Sequence, residues 1–188
     1  KAMLEYSASR ASKAGIKAHF IHGDMADFSL DKPVDFAFIA LCSLFVTSTT
    51  ELVKHFQAVA RAVQEGGLYL LDWCVQFTTP STASADGESW EMERDGIRVK
   101  TTVSSRDVDL VEQLFEETLV LEVDDHGQSY TFSGKDIRRA IYPQEFLLFI
   151  DSLVEFEFVG WWNNWNLDEP LGEIDAKINR PIALVRRI

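Results

Sequence analysis

The feature that most constrains the fold is an apolar run, a helix and a second apolar run in direct succession across residues 35–75. Asp35-Phe36-Ala37-Phe38-Ile39-Ala40-Leu41 is apolar without alternation, which predicts a strand buried on both faces. Gly66-Gly67-Leu68-Tyr69-Leu70-Leu71-Asp72-Trp73 leads into another. Between them, Ser48 with Glu51 three residues later reads as a capping box, and Leu52, His55, Phe56, Val59, Ala60 and Val63 recur at 3-and-4 spacing. Gly66-Gly67 is the expected left-handed stop. Ahead of this unit, Ala18-His19-Phe20-Ile21-His22 predicts a further short buried strand, ending at the turn Gly23-Asp24-Met25. Strand, helix and strand joined by short connections make a right-handed crossover with parallel strands, and such sheets take ligands at the carboxyl ends of their strands. The functional residues are therefore expected just after His22, Ala40 and Leu71.

The flanks read differently. Residues 1–14 form an alanine-rich helix with Met3, Ser7, Ala11 and Ala14 on one face and Gly15 as its stop, expected to pack on the sheet through small residues. After Val75, residues 76–87 have the Thr, Ser, Pro, Ala and Asp content of a loop, placed to cover the mouth of a pocket. Residues 89–94, 97–107, 111–123 and 128–142 then alternate, with Asp95-Gly96 as a two-residue hairpin turn and Asp125-His126-Gly127 as a longer one. Phe115, Glu117, Leu119, Leu121 and Val123 share the more apolar side, so this is antiparallel sheet with one wet face. Pro143 starts a helix that turns Phe146, Leu147, Phe149, Ile150 and Leu153 toward the core. A strand over residues 156–162 follows, then a loop at 163–170 whose Trp165, with Trp161 and Trp162, suits the wall of a pocket for a cation or a ring.

This order resembles the second half of a class I S-adenosylmethionine-dependent methyltransferase of the small-molecule type. The residues that carry the resemblance are Gly23-Asp24-Met25 after a strand, Leu41-Cys42-Ser43-Leu44 after the next, the helix into Gly66-Gly67, Tyr142-Pro143-Gln144-Glu145-Phe146 at the last helix, and the closing strand Arg180-Pro181-Ile182-Ala183-Leu184-Val185. The resemblance implies a Rossmann-like α/β core over residues 1–75 and 143–188, interrupted by an antiparallel β insertion at 76–142 that forms a lid or a dimer contact. It implies S-adenosyl-L-methionine as cofactor, with Asp24 meeting the adenine amino group, the Met25 amide meeting the ring, and Leu41 and Cys42 lining the methionine part. The family's strongest signature, a glycine-rich turn after the first strand and an acidic residue after the second, is absent from these 188 residues. The chain is therefore expected to be a front-truncated form. Its strand at residues 18–22 is then expected to pair with the one at 34–40, with a second chain, or with strands from the missing front.

Composition narrows the partners. A net charge of −12 argues against nucleic acid and favours a neutral or cationic small molecule as acceptor. The only two cysteines, Cys42 and Cys74, fall in apolar runs, which points to a reducing cytoplasm, and no apolar run approaches the roughly 20 residues of a membrane span. His19 and His22 lack a third ligand nearby, so no metal centre is expected, and His55 reads as a packing residue. Candidates for a base are Asp72, Glu91 and Tyr142; candidates for acceptor contact are Trp90, Tyr142, Trp162 and Trp165. The alternative function is a methyltransferase-like binding or assembly module without catalysis, self-associating as a homodimer through the antiparallel sheet.

Overall fold

The computed structural model describes residues 1–81, 87–171 and 178–188, and residues 82–86 of the expected loop at 76–87 lie outside the described residues. Two four-stranded sheets organise the chain. The first contains β1 (Val34–Ile39), β2 (Val63–Asp72), β7 (Phe156–Asn163) and β8 (Pro181–Arg187) in the order β1-β2-β8-β7. β1 and β2 are parallel and joined through α2 (Thr49–Ala62), while β8 runs antiparallel to both its neighbours. β7 therefore points the same way as β1 and β2.

The N-terminus of α2 forms for the reason its sequence gives. The Ser48 hydroxyl accepts from Glu51 N–H at 3.2 Å, and the Glu51 carboxylate accepts from the Thr47 N–H at 2.7 Å and hydroxyl at 2.9 Å. Those bonds hold the Glu51 carboxyl below its ordinary range. The C-terminus differs from expectation: the helix ends at Ala62 and β2 begins at Val63. The glycine pair lies inside a bulge in the strand, where the register slips between Val34↔Val63 and Phe36↔Leu68. A Cβ on Gly67 would meet the Asp35 carbonyl oxygen at 2.9 Å, so glycine is needed there for close approach of two backbones rather than for a helix cap.

One face of this sheet carries the core. Leu52, Phe56 and Val59 of α2 pack with Tyr69 and Leu71 of β2, and with Phe146 and Ile150 of α3 (Pro143–Ser152). The Phe56 ring, fully buried, makes edge or tilted contacts with Tyr69, Phe146, Phe149 and Phe156. The other face is open at β1: Phe36 is 49% and Phe38 62% exposed, stacked on one another at 6.0 Å. β1 is thus not buried on both faces, and among the described residues no strand lies beside its outer edge.

Residues 18–22 form no strand and are exposed throughout. An isolated strand leaves its N–H and C=O groups without partners, and water satisfies them where no neighbouring strand does. Pairing with residues 34–40, one of the three expected arrangements, does not occur, since β1 pairs only with β2. α1 (Ala2–Lys13) forms as predicted and is followed by Gly15 at φ +68, but it buries no residue; Met3 is 83% exposed. Small residues on a face give little apolar area with which to dock.

The second sheet is a meander of β3 (Glu88–Arg94), β4 (Ile97–Asp109), β5 (Leu114–Asp125) and β6 (Gln128–Arg139). Asp95-Gly96 and His126-Gly127 both adopt positive φ, as two-residue hairpins of right-handed twist require. One face carries charge: Lys100 pairs with Glu122 at 3.4 Å, and Glu116 accepts from Arg106 and Lys135, both at 2.9 Å, which pull its carboxyl down to about 2. The opposite face is apolar yet largely uncovered, with Trp90 46%, Met92 68% and Phe132 57% exposed. Its near end is buried at Phe115 and Arg138, where Arg138 reaches the turn after β1, and Thr101 is buried farther out between Trp90 and Leu121. No helix among the described residues is long and apolar enough to cross a membrane.

Candidate functional site

The carboxyl edge of the first sheet concentrates strain. Among the described residues, Leu41 and Cys42 after β1, Trp73 after β2, and Asn164 and Trp165 after β7 all have φ between 54° and 60°. Each non-glycine residue held there costs about 1–2 kcal/mol, so the surroundings must enforce it. The other three left-handed non-glycine residues, Asp95, Gln113 and His126, sit at turns of the second sheet.

Asp72 is the main enforcer. Its side chain is inaccessible to solvent, and Arg180 Nε donates to Oδ1 at 2.8 Å while Nη2 donates to Oδ2 at 2.6 Å. Leu41 N–H donates to the same Oδ2 at 2.9 Å, and the Asp72 carbonyl accepts from Cys42 N–H at 3.1 Å. Burial by itself would raise the Asp72 carboxyl; the Arg180 bonds, the Leu41 N–H and the Arg180 charge outweigh it and hold the group below the usual carboxylate range. Asp72 is therefore ionised and fully engaged, which removes it as a general base and makes it a strut between strand tips. Arg180 in turn lies 5.9 Å from the centre of the Trp165 ring, so the tips of β1, β2 and β7 belong to one connected network.

The turn at Asp24 is fastened from behind. Asp24 Oδ1 accepts from Ala26 N–H at 2.8 Å, and the Met25 carbonyl lies 2.9 Å from His55 Nδ1. A carbonyl only accepts, so Nδ1 carries the proton, and His55 Nε2, 2.8 Å from the Tyr69 oxygen, accepts from that hydroxyl. Burial pushes His55 down, opposed by its bond to Met25, and pushes Tyr69 well up, so both are neutral. His55 is a buried packing residue, as its helix position implied, with the added task of anchoring Met25. Because the folded imidazole refuses a proton that the unfolded one accepts below about pH 6.5, its contribution is complete above that pH and is lost as pH falls. Tyr69→Phe is expected to cost about 1–2 kcal/mol by urea titration at pH 7. The stability slope between pH 5 and 7 is expected to shrink in His55→Leu; an unchanged slope would refute the neutral pair.

The remaining predicted residues divide. Leu41, Cys42, Asp72 and Trp165 come together at the strand tips. Trp162 lies in β7, where its ring covers Gly160. Tyr142 is the N-cap of α3 and lines a separate cavity of about 120 Å³ with Pro80, Asp107, Asp109 and Gln113. Trp90 does not reach the edge: it shares a row with Leu121, six residues beyond Phe115 on β5, which places it roughly 20 Å farther out. Glu91 lies on the opposite, charged face, across from Lys100, and is no base for a site at the strand tips. Asp24, Met25, Leu41 and Cys42 line neither the cavity beside Tyr142 nor the one between α3 and β7. Arg180 and Arg138 escaped the sequence reading, since partners 108 and 96 residues away leave no local pattern.

A sheet of this order with its crossover helix defines a mixed α/β protein, here with a second, antiparallel sheet beside it. Its nearer likeness is to S-adenosylmethionine-dependent methyltransferases. No model of a known protein family matches the chain, and no curated protein does. Among solved structures, an S-adenosylmethionine-dependent methyltransferase from Clostridium acetobutylicum ATCC 824 superposes with a TM-score of 0.76 at 15% identity, over 100% of this chain and 72% of that one. DesVI of Streptomyces venezuelae gives 0.67 at 16% identity, over 95% and 69%. The sugar N-methyltransferase KedS8 from Streptoalloteichus sp ATCC 53650 gives 0.63 at 17%, over 95% and 67%. The chain thus has the methyltransferase fold and spans between 67% and 72% of the length of these three structures.

Proposed function

We propose that this chain supplies one wall of the cofactor pocket, and the lid, of an S-adenosyl-L-methionine-dependent methyltransferase acting on nitrogen or oxygen of a small molecule. The observation that carries the reading is the gathering of the strained, ion-paired strand tips at the carboxyl edge of the first sheet, in a chain whose whole length superposes on one such enzyme. Asp24 suits an adenine amino group: it is exposed, Ala26 N–H takes up one of its carboxylate oxygens, Oδ1, and His55 holds the turn in place. Leu41 and Cys42 suit the methionine part. The glycine-rich turn and its acidic partner would come from residues ahead of this stretch. Three observations favour such a front: the free edge of β1, the exposed Phe36 and Phe38, and the unpaired residues 18–22.

The cofactor, when bound, supplies the activated methyl group. The chain's task is to place the acceptor in line with it, and orientation of that kind is worth on the order of 7 to 11 kcal/mol of barrier. With Asp72 locked, Glu91 remote and Tyr142 lining a separate cavity, the reading assigns no base, and an amine acceptor that enters uncharged needs none. The test is incubation of the full-length protein with methyl-labelled cofactor and a panel of small amines, amino sugars and hydroxyl compounds. Label transfer, with KM for the cofactor raised at least tenfold by Asp24→Ala, is the expected result; no transfer to any acceptor, with no binding of S-adenosylhomocysteine, overturns it. A cytoplasmic location rests on two unpaired cysteines and is checked by cell fractionation.

One observation favours the second reading, assembly. The outer rows of the apolar face, around Trp90, Met92 and Phe132, lie too far from the strand tips to touch a small acceptor there and are uncovered. A second copy packed on this face would make a homodimer. Sedimentation showing a monomer at about 100 μM, well above an ordinary micromolar dissociation constant, would exclude it.

A further inference from the structure

Arg138, at the end of β6, reaches across to the turn at the tip of β1. Its Nη1 donates to the Cys42 carbonyl at 2.8 Å and to Cys42 Sγ at 3.4 Å, while Nη2 pairs with Glu117 of β5. The guanidinium centre lies 3.9 Å from the Phe45 ring centre, and the residue is only 8% exposed. The next residue continues the seam, Arg139 N–H donating to the Val46 carbonyl at 2.8 Å. Gln76 completes it, its N–H donating to the Ile141 carbonyl at 2.8 Å and its side-chain amide to Cys42 Sγ at 3.6 Å. Asp72 holds the N–H groups of Leu41 and Cys42, and Arg138 holds the carbonyl that follows, so the two left-handed residues are gripped from both sheets.

We propose that Arg138, fixed by Glu117, is a positioning residue through which the antiparallel sheet sets the conformation of the Leu41–Cys42 turn and hence the shape of the cofactor wall. The inference rests on the methyltransferase reading for what the wall holds, but not for the grip itself. Three features point beyond ordinary packing. The gripped turn is strained and sits at the ligand edge, where held strain marks function. The contact belongs to a seam between two sheets that share no strand pairing among the described residues. And the side chain makes bonds in diverging directions while stacking on a ring, which the planar guanidinium allows and an ammonium does not. A second copy or an acceptor that shifts the antiparallel sheet would therefore move Arg138 and alter the wall.

The test is hydrogen exchange by mass spectrometry on the full-length protein and its Arg138→Gln variant, comparing amides at 41–46 with those at 69–71 in β2. The expected result is exchange at 41–46 faster by tenfold or more, with 69–71 changed much less. Parallel acceleration of both segments would mean plain loss of stability, and no change would mean no grip; either overturns the proposal. Should Arg138→Gln not fold, Glu117→Gln, which keeps an acceptor and removes the charge, carries the same comparison. Alkylation of Cys42 gives an independent sign. Burial raises this thiol and the Arg138 charge opposes the rise, so loss of charge alone slows alkylation, whereas release of the turn speeds it. Faster alkylation supports the grip and slower alkylation contradicts it. Affinity for S-adenosylhomocysteine is expected to fall at least tenfold in the variant. If the wild-type protein binds none, the methyltransferase reading fails while the exchange comparison still decides the grip.

Discussion

Asp72→Ala is expected to lower the unfolding free energy by about 3 kcal/mol, read as a shift in urea midpoint at pH 7. Removing one partner of a buried ion pair costs about 3–5 kcal/mol because the other charge is left without compensation. The lower end applies because the Arg180 side chain is 32% exposed and can turn toward water. Leu41 N–H loses its acceptor as well, and the left-handed turn loses one of its two supports. Acid supplies a control. The Asp72 carboxyl is held below its unfolded value of about 3.9, so its contribution is present above that pH and disappears as pH falls through the folded value. The gap between wild type and Asp72→Asn is therefore expected to begin narrowing as pH falls below about 4 and to vanish below the folded value, and a gap that does not narrow with acid would contradict the ion-pair account.

Phe56→Ala is expected to cost more, about 3–5 kcal/mol, the range for emptying a buried aromatic site. Against total stabilities of about 5–15 kcal/mol, this brings the chain near the point of unfolding. The ring is fully buried and is the common neighbour of Tyr69, Phe146, Phe149 and Phe156, so its removal opens a cavity between α2, β2, α3 and β7 that four other rings line. Phe56→Leu, which refills most of the volume, is expected to cost less than half as much. Equal losses for the two variants would show that the site tolerates collapse and that Phe56 is not the hub of the core.

How much of this was legible beforehand depended on whether the information was local. Ser48 and Glu51 announced the start of α2, and Asp95-Gly96 announced a hairpin, because caps and turns are decided by neighbours in sequence. The two-faced meander followed from alternation alone. Gly66-Gly67 misled, since a glycine pair after a helical pattern reads as a stop: Gly66 does take a left-handed φ of +81, but inside a strand bulge, and the approach of Asp35 across the parallel pair shows why Gly67 is glycine. Residues 18–22 misled for a different reason: apolar content supplies the wish to pair but not the partner, and no strand in the described chain stands beside them. The same holds for the site. Asp24 and Met25 were read after a strand that does not form, whereas Leu41, Cys42 and Asp72 were placed by counting strand ends, a topological rule. The role of Asp72 was not, because its pairing with Arg180 spans 108 residues and reverses its chemistry from free base to engaged strut. Trp90 and Glu91 failed as site residues through sheet geometry, which sets alternate residues on opposite faces and moves each pair about 7 Å along the strand.

The most direct test of the central claim, that the tips of β1 and β2 with the Asp24 turn form one wall of a nucleoside-cofactor pocket, is calorimetric titration of S-adenosylhomocysteine into the full-length protein, into its Asp24→Ala variant, and into the 188-residue chain alone. The account predicts micromolar binding to the full-length protein, at least tenfold weaker binding to the variant, and no measurable binding to the isolated wall. Full-length protein that binds no S-adenosylhomocysteine, or binds it equally well with Asp24 replaced, would contradict it.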